Sequence, residues 1–291
     1  MSACYQCPRM CGTDRASGKT GICGQGEDIR ICRAAPHMFE EPPISGTRGS
    51  GTVFFEGCSL RCVFCQNNAI SRSKDKGQRV TPAELGDIFL RLQEEGVHNI
   101  NLVTPTHFSS KVREALELVK KSLHIPVVYN TSGYERVEML KGFEGLVDVY
   151  LPDFKYSSAE LAKKYSHAED YPAVAEAAIK EMYRQVGKYR FDGDGLLIRG
   201  LVVRHLVLPS GRKDSISVLN RLAAILPRED ILLSLMSQYT PEFAIDSPYS
   251  ELHRRVTTFE YNSVLAHAEA LGFDGFMQSR SSATSVYTPE F

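Results

Sequence analysis

The chain has 291 residues, of which 43% are hydrophobic and 24% charged, with a net charge of -1 and a pI near 6.7. Such a composition suits a soluble globular protein with room for one large α/β domain and a small appendage. It offers no global basic field for nucleic acid, no window long and apolar enough to span a membrane, and no basic N-terminal segment followed by an apolar run. The expected setting is cytoplasmic, with no membrane partner and no nucleic acid.

Residues 1–33 carry Cys4, Cys7, Cys11, Cys23 and Cys32 among five glycines, and are too poor in large apolar residues to build a core of their own. Four of these, spaced C-x2-C-x3-C-x11-C, supply enough thiolates for a closed zinc site or for a second iron-sulfur cluster. Cys32 reads as a plain thiol on an extended stretch. Residues 34–51, with Pro36, Pro42, Pro43, Gly46, Gly49 and Gly51, read as an ordered connector and not as a helix or central strand.

The main domain is expected over residues 52–291. A strand at 52–56 leads into Gly57-Cys58-Ser59-Leu60-Arg61-Cys62-Val63-Phe64-Cys65, in which the cysteines are spaced C-x3-C-x2-C. Four cysteines close an ordinary cluster, whereas three with none following leave one iron of a cubane open. The interleaved Gly57, Ser59 and Arg61 fit neither an amphipathic helix nor an alternating strand, so core packing does not explain the trio. The basic stretch 72–79 reads as a solvated surface that is also suited to docking an acidic redox partner.

Thereafter strands and helices alternate. A helix over 81–95, with Thr81 as N-cap and Pro82 at the first helical position, leads to a strand at 99–103. Helix 109–121 leads to strand 127–130, helix 135–141 to strand 146–151, and helical segments through 157–188 to strand 200–208. Helix 214–226, strand 231–236, helix 250–271 and a short strand near 273–277 follow. Asp192-Gly193-Asp194-Gly195 resembles the start of a calcium loop without its later acidic ligand, and reads as a turn.

This alternation predicts an α/β fold: a partial or full parallel β/α barrel of about six units behind a small cysteine-rich N-terminal segment. In such barrels the chemistry sits at the strand C-termini. There the sequence places the cysteine loop, then Thr104, Thr106 and His107, then Asn130, Thr131 and Ser132, then Asp153 and Lys155.

The trio, with Phe64 as C-x3-C-x-aromatic-C, resembles the signature of the radical S-adenosylmethionine (radical SAM) superfamily. Asn130-Thr131-Ser132-Gly133, Asp153-Phe154-Lys155 and Val202-Val203-Arg204-His205-Leu206-Val207-Leu208-Pro209 are similar to segments of the activating enzymes of glycyl-radical enzymes, typified by pyruvate formate-lyase activating enzyme. Cys7 to Gly12, as Cys-Pro-Arg-x-Cys-Gly, and Glu41-Pro42-Pro43-Ile44-Ser45-Gly46 resemble an activase-like subfamily of uncertain substrate. Two segments depart from the pattern. Val103-Thr104-Pro105-Thr106-His107 replaces a Gly-Gly-Glu-like segment, and Met236-Ser237-Gln238-Tyr239 replaces Pro-Tyr-His.

The resemblance implies a [4Fe-4S] cluster on Cys58, Cys62 and Cys65, with S-adenosylmethionine held near Phe64, Thr104, Thr106, Asn130, Thr131, Ser132, Asp153, Lys155, His205 and Gln238. It also implies a one-electron donor such as flavodoxin or ferredoxin. Reductive cleavage of the sulfonium would give a 5'-deoxyadenosyl radical that abstracts substrate hydrogen, from a glycyl-radical enzyme or from another protein or peptide. Modification of a small molecule or RNA is the enzymatic alternative. An iron-sulfur electron carrier or zinc-dependent binding module is the non-catalytic one.

Overall fold

A computed structural model describes residues 3–277 of the chain; residues 278–291 of the expected main domain lie outside the described residues. In chain order the elements are β1 (Ile29–His37), α1 (Pro42–Ser45), β2 (Ser50–Phe55), α2 (Asn68–Ser71), β3 (Gln78–Val80), α3 (Pro82–Glu94), β4 (Ile100–Val103), α4 (Ser109–Val119) and β5 (Val127–Thr131). They continue with α5 (Val137–Lys141), β6 (Val149–Pro152), α6 (Ala159–Ser166), α7 (Tyr171–Val186), β7 (Arg190–Phe191), β8 (Leu197–Leu206), α8 (Arg212–Ile225), β9 (Leu232–Met236), α9 (Thr258–Leu271) and β10 (Asp274–Met277).

One sheet takes the order β10-β9-β8-β6-β5-β4-β2-β1-β3. The seven strands from β2 to β10 along this path are all parallel. Antiparallel β1 and β3 extend it beyond β2, and β7 forms a small hairpin on β8. Among the described residues β3 and β10 do not pair, so the sheet is the partial form of the expected barrel.

Strand side chains alternate between two environments, as the period of two requires. Val127, Tyr129, Tyr150, Leu201, Val203, Leu233 and Leu235 belong to the core shared with the helices. There they meet helical stripes such as Leu85, Phe89 and Leu92 of α3 and Val112, Ala115, Leu116 and Val119 of α4, at the i, i+3, i+4, i+7 spacing of a buried helix face. Val128, Val149, Leu151, Val202 and Leu232 pack instead around Ile44. Ile44 thus shares one small core cluster with side chains of β5, β6, β8 and β9.

Several boundaries differ from the sequence expectations. The N-terminal part of the connector is strand: residues 34–37 of β1 pair with β2, including Pro36 opposite Gly51. Proline is tolerated there because this stretch has no partner on its other side, β3 pairing only with Ile29–Ile31. The strand expected at 146–151 begins at Val149. The helix expected over 250–271 is a short 3-10 turn, Ser250–Leu252, followed by α9, which starts at a capping box of Thr257 and Glu260. Thr81 and Glu84 form the same box at the start of α3, as its Thr-Pro opening predicts. The Asp192 side chain accepts the amides of Asp194 and Leu196, both at 2.9 Å, which is turn chemistry.

Candidate active site

The C-terminal ends of the parallel strands are level. The amide of Thr104 donates to Asn130 O, that of Asp153 to Thr131 O, that of Phe154 to Arg204 O, and that of Val207 to Met236 O, at 2.8 to 3.1 Å. A cleft opens over this edge. It is lined by Cys58, Cys62, Cys65, Phe64, Thr104, Asn130, Thr131, Ser132, Asp153, Lys155 and Gln238, together with His37, Phe39, Glu40 and Arg204.

The cysteine loop leaves β2 at Gly57 and turns at Arg61, whose φ of 53° is left-handed. The loop is held from several sides: Val63 N donates to Tyr165 O at 2.9 Å, Arg72 to Cys62 O at 3.0 Å, and Ser166 Oγ to Cys62 Sγ at 2.9 Å. The basic stretch beyond it is tied down by Glu56, which accepts Ser73 Oγ at 2.7 Å and the Lys76 amide at 2.9 Å. Phe64 is buried edge-on against Tyr165 and Tyr239, with ring centroids 6.4 and 6.1 Å away. All eight cysteines are free. Burial raises the thiols of Cys58, Cys62 and Cys65 above the ordinary range, with Lys155 pulling the other way.

Facing the cysteines is a buried network of charges. Asp153 accepts from Arg204 Nε at 3.0 Å and from Lys155 Nζ, while Arg204 also donates to Asn130 Oδ1 at 2.6 Å and stands 3.5 Å from Glu40. Burial alone would push Asp153 up, but Lys155 and Arg204 outweigh it and hold its carboxyl below the usual range. Burial would lower Lys155, and the Asp153 carboxylate outweighs it. Glu40 keeps the effect of burial and is pushed up to about 7 against the pull of Arg204.

Three expected residues lie outside the cleft lining. His107 is fully buried, with its Nε2 2.6 Å from Glu56 O. Thr106 is fully buried and donates at 2.5 Å to Glu135 Oε1, which also accepts from Thr131. His205 follows Arg204 on β8 and so faces the opposite way, toward the helices, where its Nδ1 meets Phe154 O at 2.7 Å. Sequence reasoning passed over Arg204, Glu40 and Glu135. It also passed over Tyr171, whose hydroxyl lies 2.8 Å from the carbonyls of both Ser132 and Asp153. The alternation along β8 points to Arg204; nothing in the connector's composition points to Glu40.

The four N-terminal cysteines cluster beside the loop. Cys23 is near enough to Cys4, Cys7 and Cys11 for their charges to act on one another, and Cys4, Cys7 and Cys23 are buried. Among the described residues no three Cys, His, Asp or Glu side chains converge on a single metal ion. Cubane ligands do not converge in that sense, since each thiolate binds a different iron. Among the described residues, no helix is long and apolar enough to cross a membrane.

Residues 52–189 match the family model described as the Radical SAM superfamily. A domain of that description would call for a [4Fe-4S] cluster and S-adenosylmethionine. The chain is 29% identical over 282 residues to the uncharacterized protein MJ0674 of Methanocaldococcus jannaschii, covering 93% of this chain and 75% of that protein. It is 25% identical over 187 residues to the uncharacterized protein MJ0808 of the same organism, covering 59% of this chain and 54% of that one. Among solved structures, a radical SAM methyltransferase from Sphaerobacter thermophilus superposes with a TM-score of 0.53 at 15% identity, a likeness of fold. It covers 78% of this chain, which spans 65% of the methyltransferase chain.

The cleft's donors fit both groups. Three free thiols border it, Ser132 Oγ is buried at its wall without a hydrogen-bond partner, and Lys155 offers a cation.

Proposed function

We propose that this protein is a radical SAM enzyme resembling the glycyl-radical activating enzymes and acting on a protein or peptide. The observation that carries the reading is the single cleft in which Cys58, Cys62 and Cys65 face Asn130, Ser132, Asp153 and Lys155. Three thiolates would hold a cluster with one open iron. The cofactor pair supplies reductive cleavage of a sulfonium and a carbon radical able to remove substrate hydrogen.

In this reading the chain's own residues bind and orient. Lys155 would present its ammonium to the carboxylate of the methionyl group, and Asn130 and Ser132 would offer an amide and a hydroxyl to the ribose. Asp153 keeps Lys155 and Arg204 charged and in place. Phe54, Val103, Leu206 and Met236 line the same cleft with apolar surface that excludes water from the reacting carbon. The electron comes from a reduced donor such as flavodoxin or ferredoxin.

A polypeptide substrate is supported by the cleft's lip. Phe39 lines the cleft yet is 54% exposed, and its neighbour Met38 is 47% exposed. Exposed apolar side chains at the rim of a polar site suit an extended chain laid across it.

The test uses anaerobically reconstituted protein with dithionite and S-adenosylmethionine, incubated with protein, RNA and small-molecule fractions of a deuterated cell extract. Deuterium in 5'-deoxyadenosine is expected from the protein fraction. Transfer confined to another fraction overturns the peptide reading, and no 5'-deoxyadenosine from any fraction overturns the enzyme reading.

A further inference from the structure

The N-terminal segment approaches the cleft loop through contacts that converge on the cysteine trio. The amide of Cys58 donates to the carbonyl of Cys23 at 3.3 Å. Gly57 is left-handed at φ +84°, and a Cβ there would stand 2.6 Å from that same carbonyl, so a side chain at this position would force the two segments apart. Arg9, two residues after Cys7, donates from Nε to the carbonyl of Ser59 at 2.8 Å, next to Cys58. The two cysteine sets are therefore joined at two points by direct hydrogen bonds.

The interior of the N-terminal set is built for an anionic group. Tight turns bring its cysteines together: Met10 N donates to Cys7 O at 3.1 Å and Gly24 N to Gly21 O at 2.9 Å. Thr13 Oγ1 lies 3.3 Å from Cys11 Sγ, and one terminal nitrogen of Arg15 lies 3.0 Å from Cys23 Sγ. A Cβ on Gly21 would come within 3.3 and 3.6 Å of the Cys11 and Cys23 sulfurs. Arg15 is only 6% exposed, and its other terminal nitrogen donates to His107 O at 2.7 Å. Its Nε is buried with no partner. A buried guanidinium with an unused donor beside the thiols of Cys11 and Cys23 calls for negative charge within the set.

We propose that Cys4, Cys7, Cys11 and Cys23 bind a second [4Fe-4S] cluster that relays electrons to the cluster of the cleft. A zinc ion would draw four sulfurs to about 2.3 Å from one point, and among the described residues no three such side chains converge on one point. A zinc brace would also need no close contact with the trio. The step is a one-electron transfer: a reduced flavin or iron-sulfur protein is oxidised by one electron, the N-terminal cluster accepts it, and the cleft cluster receives it across the Cys23–Cys58 hydrogen bond. No atom moves.

This inference rests on the proposed function, and its test separates the two. In a Cys58/Cys62/Cys65 triple-Ala variant, reconstituted anaerobically, bound iron and acid-labile sulfide should fall by half, to about four of each per chain, with the paramagnetic signal of one reduced cluster. Stoichiometric zinc, or no metal, overturns the inference while leaving the cleft chemistry of the intact chain untouched. In the intact chain, rapid mixing with a reduced donor protein followed by freeze-quench spectroscopy should show the N-terminal cluster reduced before the cleft cluster. Reduction of the cleft cluster while the other stays oxidised overturns the relay even if iron is present. Two clusters reduced in the expected order, without 5'-deoxyadenosine formation, would instead count against the proposed function alone.

Discussion

The hydroxyl of Tyr171 accepts the backbone amide of Lys155 at 2.9 Å, while lying 2.8 Å from the carbonyls of Ser132 and Asp153. One buried phenol thereby joins the loop after β5 to the loop after β6, the two loops that carry most of the polar wall of the cleft. The approach is close: Gly133, at φ +76°, would place a Cβ 2.2 Å from Asp153 O. Replacing Tyr171 by Phe keeps the ring and removes the shared partner. Unsatisfied buried groups of this kind cost about 1–3 kcal/mol. The variant should fold, melt several degrees lower, and bind S-adenosylmethionine about tenfold more weakly by calorimetry. Unchanged affinity would show that the two loops are positioned by other contacts.

Arg204 is the cation on which Asp153, Asn130 and Glu40 converge, and its side chain and those of Asp153 and Glu40 are 10 to 16% exposed. Arg204→Met leaves two carboxyl groups buried near one another with Lys155 as the remaining cation. Breaking a buried pair by removing one partner costs roughly 3–5 kcal/mol. Denaturant unfolding should report a loss of that order at neutral pH. A smaller loss at pH 5 than at pH 8 is expected, since Glu40, already pushed up to about 7, would then be neutral. Equal losses at both pH values would count against this role for Arg204.

Glu135 gives a second pH signature. Burial pushes its carboxyl up to about 7, against the hydroxyls of Thr106 and Thr131 that hold Oε1, and Oε2 is buried without a partner. For an acid whose folded pKa is raised, the folded state binds more protons than the unfolded one between the ordinary carboxyl range and about 7. Stability therefore falls as pH rises through that window, and the full penalty is present above it. Glu135→Gln should flatten this slope and gain stability over the parent protein at pH 8 compared with pH 5. Parallel melting curves for the two proteins across pH 5 to 8 would show that Glu135 does not titrate there.

Much of the fold was legible because alternation of strand and helix survives in a parallel sheet, and the cysteine loop announces the strand edge where chemistry gathers. Asn130, Thr131, Ser132, Asp153 and Lys155 were found by position after strands, and they do line the cleft. His205 entered through the resemblance of the segment 202–209, where the alternation along β8 selects Arg204 instead. Thr106 is fully buried, its hydroxyl spent on Glu135. Glu40, His37 and Phe39 could not be read, because proline and glycine made their segment look like a connector while tertiary pairing with β2 made it strand and then cleft wall. The start of α9 was legible as Thr257-x-x-Glu260 and was overlooked in favour of a longer helix.

The central claim is that the cleft holding Cys58, Cys62 and Cys65 cleaves S-adenosylmethionine. Its most direct measurement is 5'-deoxyadenosine formed by the anaerobically reconstituted, dithionite-reduced chain, compared with its Cys62→Ala variant under the same conditions. The parent protein should produce 5'-deoxyadenosine and the variant essentially none, although its secondary structure by circular dichroism is retained. Equal turnover by the variant, or none by a parent protein shown to carry its reduced cleft cluster, would contradict the account.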